Sequence, residues 1–156
     1  MTKRPRAETP LIGITPDSAT TAVGPSGATG EPLIVLQARY AHAILEAGGM
    51  PVVLPMTPSR RAIRQALKRL DGILISGGNF DIHPKLYGEE SIKALGEVKE
   101  ERTEFELELI SLSLERDFPL LGVCGGAQAI NVTLGAPFTR TSPPRSLRQG
   151  RISNPL

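Results

Sequence analysis

Pro119-Leu120-Leu121-Gly122-Val123-Cys124-Gly125-Gly126-Ala127-Gln128 is the stretch whose reading decides the fold. An apolar run suited to a buried strand ends at the only cysteine of the chain, two glycines follow, and Ala127 to Leu134 has a helix-like pattern. Gly122-x-Cys124-x-Gly126 therefore has the glycine spacing of a nucleophile elbow, with sulfur in place of the serine oxygen. Small neighbours let the backbone turn sharply beneath the reactive atom. The sulfur is left at a helix N-terminus, where the dipole and free N–H groups favour an anion. A lone cysteine taken out of context is more often a small buried hydrophobe. The strand before, the glycines on both sides and the helix after favour the nucleophile here.

The 156 residues make about one ordinary domain with room for a core. Hydrophobic residues at 40% and charged residues at 22% are normal for a soluble globular chain. A single cysteine excludes an internal disulfide and points to a reducing cytoplasm. No apolar stretch reaches the ~20 residues of a bilayer span, and no apolar signal core follows the basic Met1-Thr2-Lys3-Arg4 start. The net charge of +2 is uneven: residues 1–135 carry 14 basic and 16 acidic side chains, whereas residues 136–156 carry four arginines and no acid. Without a basic stripe interleaved with aromatics, the chain is not expected to bind nucleic acid.

Upstream of the elbow, Leu11 to Pro16 reads as a first buried strand. Residues 17–33, rich in Thr, Ala, Gly, Ser and Pro, read as a mobile loop. Ile34 to Ala47 has helical apolar spacing closed by Gly48-Gly49, and Pro51 to Pro55 is a short second strand. Ser59 is placed to cap a helix running to about Leu70, with Ile63, Ala66, Leu67 and Leu70 on one face. Gly72 to Ser76 is a third strand running into Gly77-Gly78, and a long loop carries Asp81, Pro84, Tyr87 and Gly88. Glu100 to about Arg116 is a helix with acids in its first turns, as its dipole favours, and Phe105, Leu109 and Leu112 on its buried side.

Strands apolar throughout and alternating with helices indicate a parallel sheet covered on both faces. Ligands of such sheets bind beyond the carboxyl ends of the strands. The loop after Ile75 and the elbow after Val123 then share one edge, although 46 residues separate Gly78 from Cys124. A thiolate attacking an amide carbonyl makes an oxyanion, which needs fixed backbone N–H donors. The N–H of Gly125 is one such donor, and a glycine of the Gly77-Gly78 pair is a second, unless that pair only turns the chain out of the strand. A base is also required. Only His42, inside the first helix, and His83, in the loop after the third strand, are present. His42 reads as structural or solvent-facing, and the His83-Pro84 pair serves the turn more simply than it serves the sulfur. No residues show the spacing of metal ligands or of a phosphate-cradling loop.

Several blocks together make the chain resemble the class I glutamine amidotransferases, in the gamma-glutamyl hydrolase branch that includes the gamma-glutamyl-gamma-aminobutyrate hydrolases (peptidase C26-like). They are Pro10 to Pro16, Tyr40 to Pro55 around Ala47-Gly48-Gly49-Met50-Pro51, Leu70 to Pro84 with Tyr87-Gly88-Glu89, Glu101 to Glu106, and Leu121 to Val132. Order and spacing agree from about residue 10 to 135. The resemblance implies a flavodoxin-like α/β three-layer sandwich with a parallel sheet. It implies hydrolysis of gamma-glutamyl C–N bonds through a thioester, on a small gamma-glutamyl substrate and without a cofactor. Cys124 would be the nucleophile, Gly78 and Gly125 the oxyanion donors, and Gln128, Asp81 and Arg102 the substrate contacts. The family completes its triad with a histidine and a glutamate in a Trp-His-Pro-Glu-like segment near the C-terminus, which this chain lacks.

After Leu134-Gly135 the resemblance stops. Residues 136–156, with four prolines and no periodicity, read as an irregular, disordered tail, and residues 1–135 as the N-terminal part of a domain whose C-terminal part is incomplete. Two consequences are expected: the chain is inactive alone, and the Leu120 strand is an uncovered edge open to aggregation or self-pairing. Two other roles fit the same pattern, a non-catalytic binding module and a glutaminase subunit delivering ammonia to a synthetase. The Ser76-to-Asp81 loop favours the hydrolase branch over the latter.

Overall fold

In the computed structural model, which describes residues 9–20, 30, 32–78, 81–88 and 98–135, the chain builds four parallel strands into one sheet. They are β1 (Leu11–Ile14), β4 (Met50–Val53), β5 (Gly72–Ile75) and β6 (Leu120–Gly122), in the spatial order β4-β1-β5-β6. The chain leaves β1 for β4 on one side and returns to β5 on the other. The carboxyl ends of β1 and β5 therefore frame the point where the winding reverses, as in flavodoxin-like sheets.

Side-chain alternation explains why both faces must be covered. Ile73 and Ile75 of β5 pack with Leu54, Phe105, Leu109, Ile110 and Leu112, whereas Leu74 packs on the opposite face with Ile14 and Ile44. The first face lies under α2 (Arg60–Leu67), α3 (Glu100–Leu114) and α4 (Gly125–Thr133); the second lies under α1 (Ala38–Glu46). Three layers result.

Local chemistry sets the helix ends. The Ser59 side chain accepts a hydrogen bond from the Ala62 N–H and starts α2, which buries Ile63 and Leu67 one turn apart. Glu100 and Glu101 occupy the first turn of α3. Gly48, at φ +83°, ends α1 in the left-handed conformation while the Gly49 N–H bonds the Ile44 carbonyl.

Two readings of the sequence need correction. The segment from Asp17 to Val35 is not wholly loop: β2 (Asp17–Thr20) and β3 (Pro32–Val35) pair antiparallel, and residues 21–29 between them lie outside the described residues. The first helix starts at Ala38, because Ile34 and Val35 are spent on β3; as β-branched residues they suit a strand better than a helix. The loop after β5 contains a 3-10 turn, Pro84–Tyr87, started by His83 and ended by Gly88 at φ +78°. The tail at 136–156 lies outside the described residues.

β6 pairs with β5 alone among the described residues, and its Leu121 is 60% exposed. Among the described residues no helix is long and apolar enough to cross a membrane, and no cluster of three His, Cys, Asp or Glu side chains is placed to hold a metal ion.

Candidate active site

The elbow is built by steric necessity. Cys124 has φ 52° and ψ −108°, outside the helical and extended regions open to L-residues, and it caps α4. A Cβ on Gly122 would stand 2.6 Å from the Ala127 nitrogen and 2.7 Å from the Gly126 carbonyl carbon. One on Gly126 would stand 2.2 Å from the Ile75 carbonyl oxygen. Both glycines of Gly122-x-Cys124-x-Gly126 are therefore demanded by close approach, the first to fold the chain back and the second to seat α4 on β5. The strand side is tied down by the Val123 N–H donating to the Ile75 carbonyl at 3.0 Å, and the helix side by the Gly126 N–H donating to the Val123 carbonyl at 2.9 Å.

The structure brings Cys124 to the glycine pair. A Cβ on Gly77 would lie 3.2 Å from the Cys124 Cβ and 3.1 Å from the Val123 carbonyl oxygen, so the two backbones touch. Cys124 itself is exposed. Among the described residues the N–H groups of Gly78 and Gly125 have no hydrogen-bond partner. The N–H of Gly77 is taken, donating to the Tyr40 hydroxyl at 3.0 Å. Beside Gly77 and Gly78 opens a cavity of about 280 Å³ whose walls include Asp17, Leu36, Gln37, Tyr40 and Ser76.

The other sequence-predicted residues are placed as follows. Gln128 is half-buried on α4, one turn past Cys124, and its N–H donates to the Cys124 carbonyl at 3.2 Å. Asp81 is half-buried in an isolated bridge to Val98. Arg102 is fully buried and directed at protein groups: its Nη2 donates to the Ser76 carbonyl at 2.8 Å and its Nε to Glu106 at 3.0 Å. Neither histidine lines the cavity beside Gly77 and Gly78. His42 is exposed on α1, and the His83 Nδ1 accepts from the Lys85 N–H at 3.2 Å while its ring lines a separate cavity with Glu100 and Glu104.

The polar cluster around Arg102 was not visible as a unit in the sequence. Thr15, at the end of β1, donates from Oγ1 to Glu106 Oε1 at 2.7 Å and accepts from the Ser76 N–H at 3.0 Å. Burial pushes the Glu106 carboxyl above its ordinary value, against the nearby Arg102 charge and the hydrogen bonds from Thr15 and Arg102. Burial also acts to raise Asp17, but the bonds from Lys99 and the Ser18 N–H, with the Arg102 charge, outweigh it and hold that carboxyl below its ordinary value. The one local signal was the stripe itself: Arg102 and Glu106 lie at helical spacing with the buried Phe105, Leu109 and Leu112.

A profile of the peptidase C26 family matches residues 10–142. The chain is 38% identical over 136 residues to a glutamine amidotransferase-like protein of Rickettsia prowazekii, covering 87% of this chain and 47% of that protein. It is 35% identical over 106 residues to a gamma-glutamyl-gamma-aminobutyrate hydrolase of Escherichia coli O157:H7, covering 67% of this chain and 41% of the relative. A glutamine amidotransferase-like protein of Lactococcus lactis subsp. cremoris is 41% identical over 96 residues, 62% of this chain and 50% of its own length. The chain thus spans about half the length, or less, of the curated relatives it matches.

Proposed function

This chain belongs to the peptidase C26 family, and from that premise we propose that it carries the nucleophile and oxyanion donors of a cysteine-dependent gamma-glutamyl amide hydrolase. The observation that carries the reading is the exposed sulfur on a strained elbow, in backbone contact with Gly77, with the Gly78 and Gly125 N–H groups unpartnered among the described residues. In the reaction the Cys124 sulfur attacks the gamma-carbonyl carbon, and the negative charge that forms on oxygen is met by the two N–H groups. The C–N bond breaks, the amine leaves with a proton, and a gamma-glutamyl thioester remains on Cys124. Water cleaves the thioester, releasing the gamma-carboxylate and restoring the thiol. Gln128, one turn along α4, is assigned to the gamma-glutamyl group, and the cavity beside Gly77 and Gly78 accepts part of the substrate.

One observation favours a second reading, a module that binds gamma-glutamyl compounds without turnover: neither histidine lines the cavity beside Gly77 and Gly78, and the His83 Nδ1 is engaged by the Lys85 N–H. The same samples separate the two. Amine release from gamma-glutamyl p-nitroanilide is measured for this chain and for Cys124→Ser, with mass spectrometry for an acyl group on Cys124. Release that vanishes in Cys124→Ser supports the hydrolase. Saturable binding of the anilide without release or acylation supports the module. Neither binding nor release from a folded chain defeats both.

A further inference from the structure

The peptide that leads into the glycine pair is gripped from both ends. Its carbonyl, that of Ser76, accepts from Arg102 Nη2 at 2.8 Å; its N–H, that of Gly77, donates to the Tyr40 hydroxyl at 3.0 Å. A planar amide held at both its oxygen and its nitrogen cannot swivel. Two glycines in succession would otherwise leave this segment the freest in the site. Arg102 is itself fixed. Nε donates to Glu106 Oε1 at 3.0 Å, Nη2 also reaches the Ser76 hydroxyl at 3.1 Å, and Nη1 lies 3.2 Å from Asp17 Oδ1. The Ser76 hydroxyl in turn donates to the Thr15 carbonyl at 2.6 Å, so the ends of β1 and β5 are tied to each other as well as to α3.

A merely structural tie does not need this arrangement. An apolar side chain at position 102 would pack α3 on the sheet without removing an ion from water. What the guanidinium adds is several donors in a rigid fork with fixed directions. Those directions end on the Ser76 carbonyl, two residues before the Gly78 N–H and in the same strand end that touches Cys124.

We infer that Arg102, oriented by Glu106, is a positioning residue: by fixing the Ser76–Gly77 peptide it sets the Gly78 N–H relative to Cys124. The inference deepens the hydrolase reading and rests on it for its catalytic consequence. The test uses the full chain carrying Arg102→Lys or the paired change Arg102→Met with Glu106→Met, which leaves no unpaired buried ion. Deuterium exchange of the Ile73 and Leu74 amides reports whether the sheet is intact, and exchange of the Gly77 amide reports the grip. In variants with an intact sheet, Gly77 exchange rises about tenfold or more. Anilide turnover falls roughly 10- to 100-fold in kcat with KM within about twofold. Alkylation of Cys124 by iodoacetamide, which develops no oxyanion, keeps its rate. Unchanged Gly77 exchange and unchanged kcat, or a loss confined to KM, overturns the inference. If Arg102 variants do not fold, Ser76→Ala, which removes one acceptor of the fork and leaves the ion pair, gives the same signs at smaller size; no change there also overturns it. Should the parent chain release no amine, the hydrolase reading falls, while Gly77 exchange still decides the grip.

Discussion

Replacing Gly126 by alanine tests whether the elbow is seated as described. The new methyl would stand 2.2 Å from the Ile75 carbonyl oxygen, 2.8 Å from its carbonyl carbon and 2.9 Å from its Cβ. These atoms belong to the backbone and stiff side-chain root of a central strand, so no rotamer change relieves the clash. Helix α4 must retreat by about 0.8 Å merely to reach 3.0 Å from that oxygen. Overpacking a core costs about 1–3 kcal/mol and occasionally more, and collision with a sheet backbone belongs at the upper end. Alanine regains ~1 kcal/mol of intrinsic helix propensity over glycine, which leaves a net loss of about 2 kcal/mol. Urea unfolding of the parent, Gly126→Ala and Gly48→Ala measures it. Gly48 has open space around it and φ +83°, so its variant loses only the ~1–2 kcal/mol of a left-handed backbone. The Gly126 variant should also alkylate at Cys124 at an altered rate, since the sulfur rides on the displaced helix. A Gly126→Ala chain within about 0.5 kcal/mol of the parent, alkylating at the parental rate, would refute the account of the elbow.

Three further outcomes are expected. Glu106→Ala removes the bond partner of a buried guanidinium and should cost roughly 3 kcal/mol in urea unfolding, whereas the Met pair at 102 and 106 should lose less than the two single changes together. Ser59→Ala removes the cap on the Ala62 N–H and should cost about 1 kcal/mol by the same measurement. The two shifted carboxyls act on stability with opposite signs. Asp17, lowered from 3.8, contributes stability that is fully present above that value and lost as pH falls through its folded pKa; Glu106, raised from 4.5, lowers stability as pH rises from 4.5 through its folded pKa. Thermal unfolding across the acid range should therefore lose its low-pH limb in Asp17→Asn and its higher-pH limb in Glu106→Gln.

Much of the sheet was legible because its strands are short, apolar and punctuated. Leu11 to Ile14 and Gly72 to Ile75 are bounded by proline or glycine and need no partner to be recognised. The meeting of Gly77 with Cys124 followed from the parallel-sheet rule, which places both at the carboxyl edge. The β2–β3 ribbon was hidden because its pairing joins two ends of a segment whose turn-rich composition reads as loop. The Arg102 cluster was hidden for a related reason. Ser76 stands 26 residues from Arg102 and 61 from Thr15 in the chain, and Thr15 stands 91 from Glu106. Charged residues on a helix normally read as a solvated face, and only the assembled sheet supplies the carbonyl and hydroxyl groups that let these two stay buried.

At position 124 the backbone takes φ 52° and ψ −108°, a corner that glycine enters freely and any residue with a Cβ enters under strain. A glycine there would relax the main chain and delete the thiol in one substitution. Backbone ease and the sulfur are thus set against each other at a single Cα, and a search for hardier variants of this chain would be drawn to the very change that removes the thiol.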